Sequence, residues 1–275
     1  MPPAIGYALW EQNRPILSNP VLDAVEITFE RADDPLRVEC ALGDLDCTYV
    51  SIHALRLSPA SPEPPAPAYL AALRAVVEEN GAAAVSDHLG FTRDREGGIE
   101  IGHFAPPPFT PDALRATCRN IAVIQDYFSG LPFFLENIAY LFRFKGSMTE
   151  AEFLIRVLES TGCGWLLDVT NLYANARNHG FDPEAFLHQV VPAAPRLQMH
   201  LSGGFHDEQS GMYLDSHSRP VPDDVWDLYR LALRLARGKV DAVFIERDHD
   251  FPDTAGWLAE AGRARRVAEE VEAQP

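Results

Sequence analysis

A (β/α)8 barrel, the TIM-barrel form of the α/β class, is predicted by three observations. Eight short runs rich in Val, Ile, Phe and Leu recur along the 275 residues. Amphipathic stretches long enough to be helices follow them, and eight such alternations over about 250 residues is the size of this architecture. The runs are near-continuously apolar, as strands must be when a helical ring covers them. A doubly wound open sheet is the main alternative.

Strands are expected at residues 5–10, 24–29, 48–55, 84–90, 132–137, 164–169, 197–201 and 243–247. Helices are expected at 67–79, 111–128, 149–160, 183–190, 222–237 and 254–271. Thr110-Pro111-Asp112, Thr149-Glu150 and Asp182-Pro183-Glu184 each place a capping side chain, a first-turn proline or an early acid where a helix should begin. Proline-rich stretches at 59–67 and 106–108 fall where loops after the third and fourth strands should lie. Nothing in the composition marks a domain boundary, so residues 1–275 read as one catalytic domain.

With 47% hydrophobic and 23% charged residues, the chain is too apolar to be disordered. Its net charge of −17 argues against nucleic acid or anionic lipid as partner. No apolar run approaches the length of a membrane span and no targeting segment is evident, so a cytoplasmic protein is expected. Cys40, Cys47, Cys118 and Cys163 show no CxxC spacing and read as free, mostly buried thiols.

The strands end in polar residues of one chemical kind. His53, Asp87-His88, Glu136-Asn137, Asp168 with Asn171, His200 and Glu246 close six of them, and Asp215-Ser216-His217 lies in the loop after the seventh. Catalytic groups of such barrels project from these ends. Imidazole and carboxylate without a thiolate cluster suit iron, manganese or zinc, and the set exceeds what one ion can use. Glu26 is ambiguous between an inward supporting role and solvent, and His103 between substrate contact and support. His249 and Asp250 are candidates to back Glu246, while His179 and His188 read as exposed. Phosphate-cradling GxGxxG or GxxxxGK[ST] motifs, GxSxG and HExxH are all absent.

The segments SIHAL, SDHLGF, APPPFT, FLENIAYLFRF, TGCGWLLDVTNLYANARNHGFDP, MHLSGG, DSHSRPVPDDVWDLY and IERDHD, in this order, resemble the DUF692 family of multinuclear non-haem iron-dependent oxidative enzymes, the family of methanobactin biosynthesis. The resemblance implies two or three iron ions and dioxygen as co-substrate. It further implies oxidation of a residue, cysteine above all, in a ribosomally synthesised precursor peptide, and a separate peptide-recognition partner protein. By position it implies His53, His88, Glu136, Asn171, His200, Asp215, His217 and Glu246 as metal ligands, with Asp168 a ligand or the residue orienting one.

Three positions depart from the family pattern. Thr170 replaces an Asn, Gly204 replaces a second His after His200, and Arg247 replaces a Trp. His206 is the residue expected to compensate for Gly204, so His206 and Asp168 are the candidates for catalytic roles. The competing expectations are a divalent-metal isomerase or phosphodiesterase barrel and a non-catalytic metal-binding scaffold.

Overall fold

The computed structural model describes residues 1–31, 48–93 and 100–274, with backbone alone at 100–103. Cys40, Cys47 and the side chain of His103 lie outside the described residues. In chain order the elements are β1 (Ala4–Ala8), β2 (Ala24–Thr28), β3 (Tyr49–His53), α1 (Pro67–Glu79), β4 (Ala84–His88), β5 (Phe91–Arg93) and β6 (Glu100–Ala105). They continue with α2 (Pro111–Tyr127), β7 (Phe133–Glu136), α3 (Glu150–Thr161), β8 (Gly164–Asp168), α4 (Val169–His179), α5 (Pro183–Val190) and β9 (Leu197–Leu201). The last are β10 (Phe205–His206), β11 (Tyr213–Leu214), α6 (Asp223–Leu235), β12 (Val240–Ile245) and α7 (Thr254–Glu272).

Eight parallel strands close into a barrel in the order β1-β12-β9-β8-β7-β4-β3-β2, which excludes the open sheet. Each overlaps an expected run, although β12 starts and ends earlier than expected and leaves Glu246 and Arg247 in the turn after it, and the six expected helices all form. Alternation is looser than predicted at the start, where a single 3-10 turn, Arg14–Ile16, joins β1 to β2. Two small antiparallel hairpins, β5-β6 and β10-β11, and the helix α4 lie outside the expected elements.

Side chains alternate across each strand, and the two faces carry different chemistry. Outward positions such as Val25, Ile27, Leu167, Met199, Val243 and Ile245 pack against the helices in one continuous core. Inward positions make small apolar layers in the lower barrel, Ala24 with Ala242 and Phe244, and Ala84 with Phe134 and Leu166. The next inward position upward is polar in strand after strand, and register aligns those positions. His88 stands opposite Glu136, and Asp168 opposite His200.

The helix starts are built as their sequences indicate. Thr149 and Glu152 form a reciprocal capping box on α3, and Asp182 caps α5 through the amides of Glu184 and Ala185. The first proline-rich loop is pinned by the Asn120 amide of α2, which donates to the carbonyls of Pro59, Ser61 and Glu63 at 2.7–3.0 Å. That fixes the wall of the barrel mouth.

Candidate metal centre at the barrel mouth

Glu136, at the end of β7, is the hub. Its Oε2 lies 3.5 Å from His53 Nε2 and 3.4 Å from His88 Nε2, while its Oε1 lies 3.5 Å from His200 Nδ1. Two ligands each about 2.1 Å from a shared ion at a tetrahedral angle stand about 3.4 Å apart, so this spacing is that of ligands around a cation. Each imidazole is held by its other nitrogen. His53 Nδ1 is 2.9 Å from Ser86 Oγ, His88 Nδ1 is 3.3 Å from Asp87 Oδ1, and His200 Nε2 is 3.1 Å from Glu26 Oε2. Phe104 stacks on the His88 ring at 3.8 Å between centroids.

A second group adjoins the first. Glu246 Oε2 is 3.1 Å from His200 Nδ1 and 3.8 Å from His217 Nε2, which itself lies 2.8 Å from Asp215 Oδ2. Asp168 ends β8 and caps α4, its Oδ1 accepting the Asn171 amide at 2.7 Å, so Oδ2 alone is left for the site. Asn171 spends its Nδ2 on the Asn137 carbonyl at 3.0 Å, leaving Oδ1 without a hydrogen bond. His217 sits in the left-handed region at φ 50, a strained conformation for a non-glycine residue, and its carbonyl accepts the Asp248 amide at 2.9 Å.

The electrostatics are lopsided toward negative charge. Seven buried atoms of this cluster, Glu26 Oε1, Glu136 Oε2, Asp168 Oδ2, Asn171 Oδ1, His200 Nδ1, His217 Nδ1 and Glu246 Oε2, have no well-aligned hydrogen-bond partner among the described residues. Burial, reinforced by Asp215, Glu136 and Glu246, raises Asp168 well above the usual carboxylate range. For His200, burial opposes protonation, but Glu246, Glu26 and Glu136 outweigh it and raise its pKa. Burial dominates at His53 and lowers it to about 3. Buried carboxylates facing one another and lone pairs facing imidazoles are unfavourable without positive charge between them. The donor set therefore fits a bound cation, and among the described residues four overlapping groups meet the spacing: His53-His88-Glu136, Glu26-His200-Glu246, Glu136-Asp168-His200 and Asp168-His217-Glu246.

His53, His88, Glu136, Asn171, His200, Asp215, His217, Glu246 and Asp168 are thus brought together at the mouth. His206 is not. It is exposed on β10, with Nδ1 3.2 Å from the Met212 carbonyl, and nothing in its placement compensates for Gly204. Gly204 has its own reason: a Cβ there would lie 2.0 Å from the Leu214 carbonyl oxygen, so the β10-β11 hairpin occupies the space a histidine would need. Thr170 joins α4 to the loop after β9, donating to the Ser202 carbonyl and accepting its amide at 3.0 and 2.9 Å. Arg247 turns away from the mouth to pair with Glu260 at 3.1 Å.

Glu26 is fully buried against His200, which excludes the solvent-facing reading. Asp248, 3.2 Å from His217 Nδ1, is a partner that sequence reasoning misses. His179 is half-buried rather than exposed, its ring stacked on Tyr140 and its Nε2 2.9 Å from that residue's carbonyl, and His188 is exposed as expected. Above the cluster opens a cavity of about 590 Å³, floored by His88, Glu136, Asn171 and Glu246 and walled by Tyr140, Phe142 and Tyr213.

Fold and centre together define a (β/α)8 barrel with a carboxylate-imidazole site suited to metal. A family model described as RiPP precursor modification enzyme MbnB/TglH/ChrH matches residues 10–269, and the chain belongs to that family. It is 40% identical over 219 residues to a UPF0276 protein of Rhizorhabdus wittichii, covering 80% of this chain and 76% of that one. A UPF0276 protein of Caulobacter vibrioides is 36% identical over 252 residues, 90% and 86% of the two chains. Among solved structures, D-psicose 3-epimerase in the presence of D-fructose superposes with TM-score 0.60 at 12% identity, covering 98% of this chain and 100% of that one. Endonuclease IV from Thermus thermophilus gives 0.58 at 16%, over 98% and 100%. These two share the fold. No helix among the described residues is long and apolar enough to cross a membrane.

Proposed function

We propose that the centre holds iron, more than one ion per chain, and that the protein uses dioxygen to oxidise a residue, cysteine foremost, of a ribosomally synthesised precursor peptide. The observation that carries the metal reading is the set of seven buried polar atoms around Glu136 left without well-aligned hydrogen-bond partners among the described residues. Membership of a precursor-modifying family supports the peptide. His53, His88 and Glu136 would hold one ion, and His200, Glu246, Asp168 and His217 a neighbouring one, with Glu136 shared and Asn171 and Asp215 completing the set. Bound there, iron supplies Lewis acidity toward a substrate thiolate and the electrons that reduce dioxygen.

The chain's own residues prepare that chemistry. Ser86, Asp87 and Glu26 fix the imidazole orientations so that the opposite nitrogens face Glu136. Asp168 Oδ2, the one free oxygen of a carboxylate otherwise engaged as a cap, is the atom placed to hold a proton or a cation. Phe104 covers the His88 ring and keeps water from that side. Peptide delivery by a separate recognition protein, in the reducing cytoplasm that the free thiols Cys118 and Cys163 suit, completes the proposal.

Elemental analysis after anaerobic reconstitution should find at least two iron atoms per chain. A reproducible value of one or less would overturn the multinuclear reading. Turnover of a cysteine peptide should require oxygen, whereas an epimerase or phosphodiesterase would act equally well without it.

A further inference from the structure

The segment TGCGWLLDVTNLYANARNHGFDP supplies Asp168 and Asn171 to the centre, and three further polar residues of it, Asn175, Asn178 and His179, continue along α4. At 3.6 residues per turn, Asn171, Asn175, Asn178 and His179 share one stripe about 100° wide. That stripe faces protein. Asn171 and Asn175 are buried, and Asn178 and His179 are half-buried. Helices ordinarily turn such residues to water, so an inward polar stripe calls for partners.

The partners are main-chain groups of two loops. After β7, Asn171 Nδ2 donates to the Asn137 carbonyl at 3.0 Å, Asn175 Nδ2 to the Ile138 carbonyl at 2.8 Å and His179 Nε2 to the Tyr140 carbonyl at 2.9 Å, while Asn175 Oδ1 accepts the Tyr140 amide at 3.0 Å. On the hairpin β10-β11, Asn178 takes both main-chain groups of Tyr213, donating to its carbonyl at 2.9 Å and accepting its amide at 2.8 Å. Each carboxamide thus stands in for the peptide group of a neighbouring strand. Both loops wall the cavity above the metal centre, one from Ile138 to Phe142 and the other from Tyr213 to His217. The same helix begins inside that centre. Asp168 caps it, and Asn171 Oδ1 is buried without a hydrogen bond. An unpaired buried oxygen is unfavourable, and a cation held by it relieves this only while α4 keeps its docked place. A ligand that favours one arrangement shifts the population toward it.

We infer that α4 carries metal occupancy to the substrate cavity, with Asn175, Asn178 and His179 as positioning residues that set both of its walls once Asn171 is engaged at the centre. This rests on the metal reading above. The walls are then firm in the loaded protein and loose in the stripped one, and a substrate meets a formed cavity only where the metal is already in place.

Amide hydrogen exchange on the full chain, read by mass spectrometry, tests this by comparing protein stripped with a chelator and protein loaded anaerobically with iron(II), the metal content of each sample being measured. The amides of Tyr140 and Tyr213, which end on Asn175 and Asn178, should exchange about tenfold more slowly in the loaded chain. Those of α7, which carries no candidate ligand, should change far less. Asn178→Ala should abolish the metal-dependent slowing at residues 211–216 and keep it at 138–142. His179→Phe, which keeps a ring against Tyr140 but no donor, should do the reverse, and His179→Gln, which restores a donor, should recover the slowing at 138–142. Both positions are half-buried and neither change removes a ligand, so iron content should stay at the wild-type value. Equal exchange with and without iron, a slowing that α7 shares in full, or one that Asn178→Ala and His179→Phe leave in place would overturn the inference. A chain that takes up no iron overturns the metal reading and this inference with it, whereas iron uptake without local slowing sinks the inference alone.

Discussion

Glu136 uses its two oxygens toward different partners, Oε2 toward His53 and His88 and Oε1 toward His200. Removing it should therefore cost more metal than removing an imidazole that serves one group. Glu136→Ala should lose more iron per chain than His53→Ala, as read by elemental analysis under identical reconstitution; equal losses would mean that Glu136 is not shared. Glu26 acts one step back, through His200 Nε2. Glu26→Gln should weaken iron binding about 10- to 100-fold, the usual cost of losing a partner behind a ligand, measured against a competing chelator. His206→Ala should leave iron and turnover unchanged, since its ring faces solvent. Glu150 allows a pH test away from the metal. Burial raises its pKa to about 7, offset in part by the Tyr140 hydroxyl and Arg143. The folded state thus holds a proton that the unfolded state releases near 4.5, so stability is lost as pH rises between these values. Glu150→Gln should gain in melting temperature relative to the wild type from pH 5 to pH 8, and a constant difference would contradict the assignment.

Elements differ in how plainly their sequences announce them. Helix α3 is explicit, because Thr149 and Glu152 spell out a capping box. Thr149→Ala should cost about 1 kcal/mol, visible as a melting shift of about 2–4 °C for a chain of this size. Helix α4 is hidden, because Asp168 is at once the last residue of β8 and the cap of the helix, with no loop between to punctuate the change. Its buried face also carries Asn171 and Asn175, which blur the apolar period by bonding to the backbone after β7. The hairpin β10-β11 has two residues per strand, too few for any alternation to register. Yet it decides what Gly204 can be. Gly204→His, meant to restore the family's pattern, should instead destabilise the fold by about 1–3 kcal/mol, the range for overpacking a filled site, and thermal denaturation would show it.

At the scale of the molecule, the barrel is legible because strands covered on both sides by protein read as unbroken apolar runs, and their polar ends stand out against them. Asp248 and the role of Glu26 are not legible, because both depend on which side chains face one another across the mouth. Glu26 shares the inward face with Ala24 only once β2 has its place in the ring. Strands β1 and β12 close that ring, and the centre is assembled from the ends of β2, β3, β4, β7, β8 and β9, from α4, from the loop after β11 and from the turn after β12. Glu26 and His200 meet across 174 residues of chain. A cation gripped there would act as a reversible cross-link, fastening far-apart stretches as a disulfide does and confining the unfolded chain wherever it stayed bound. Loading would then govern how the barrel comes apart. With the ion in place the strands should let go as one cooperative unit, and after chelation the staves could part in sequence, with hydrogen exchange spreading first through β1 and β12, where the hoop is joined.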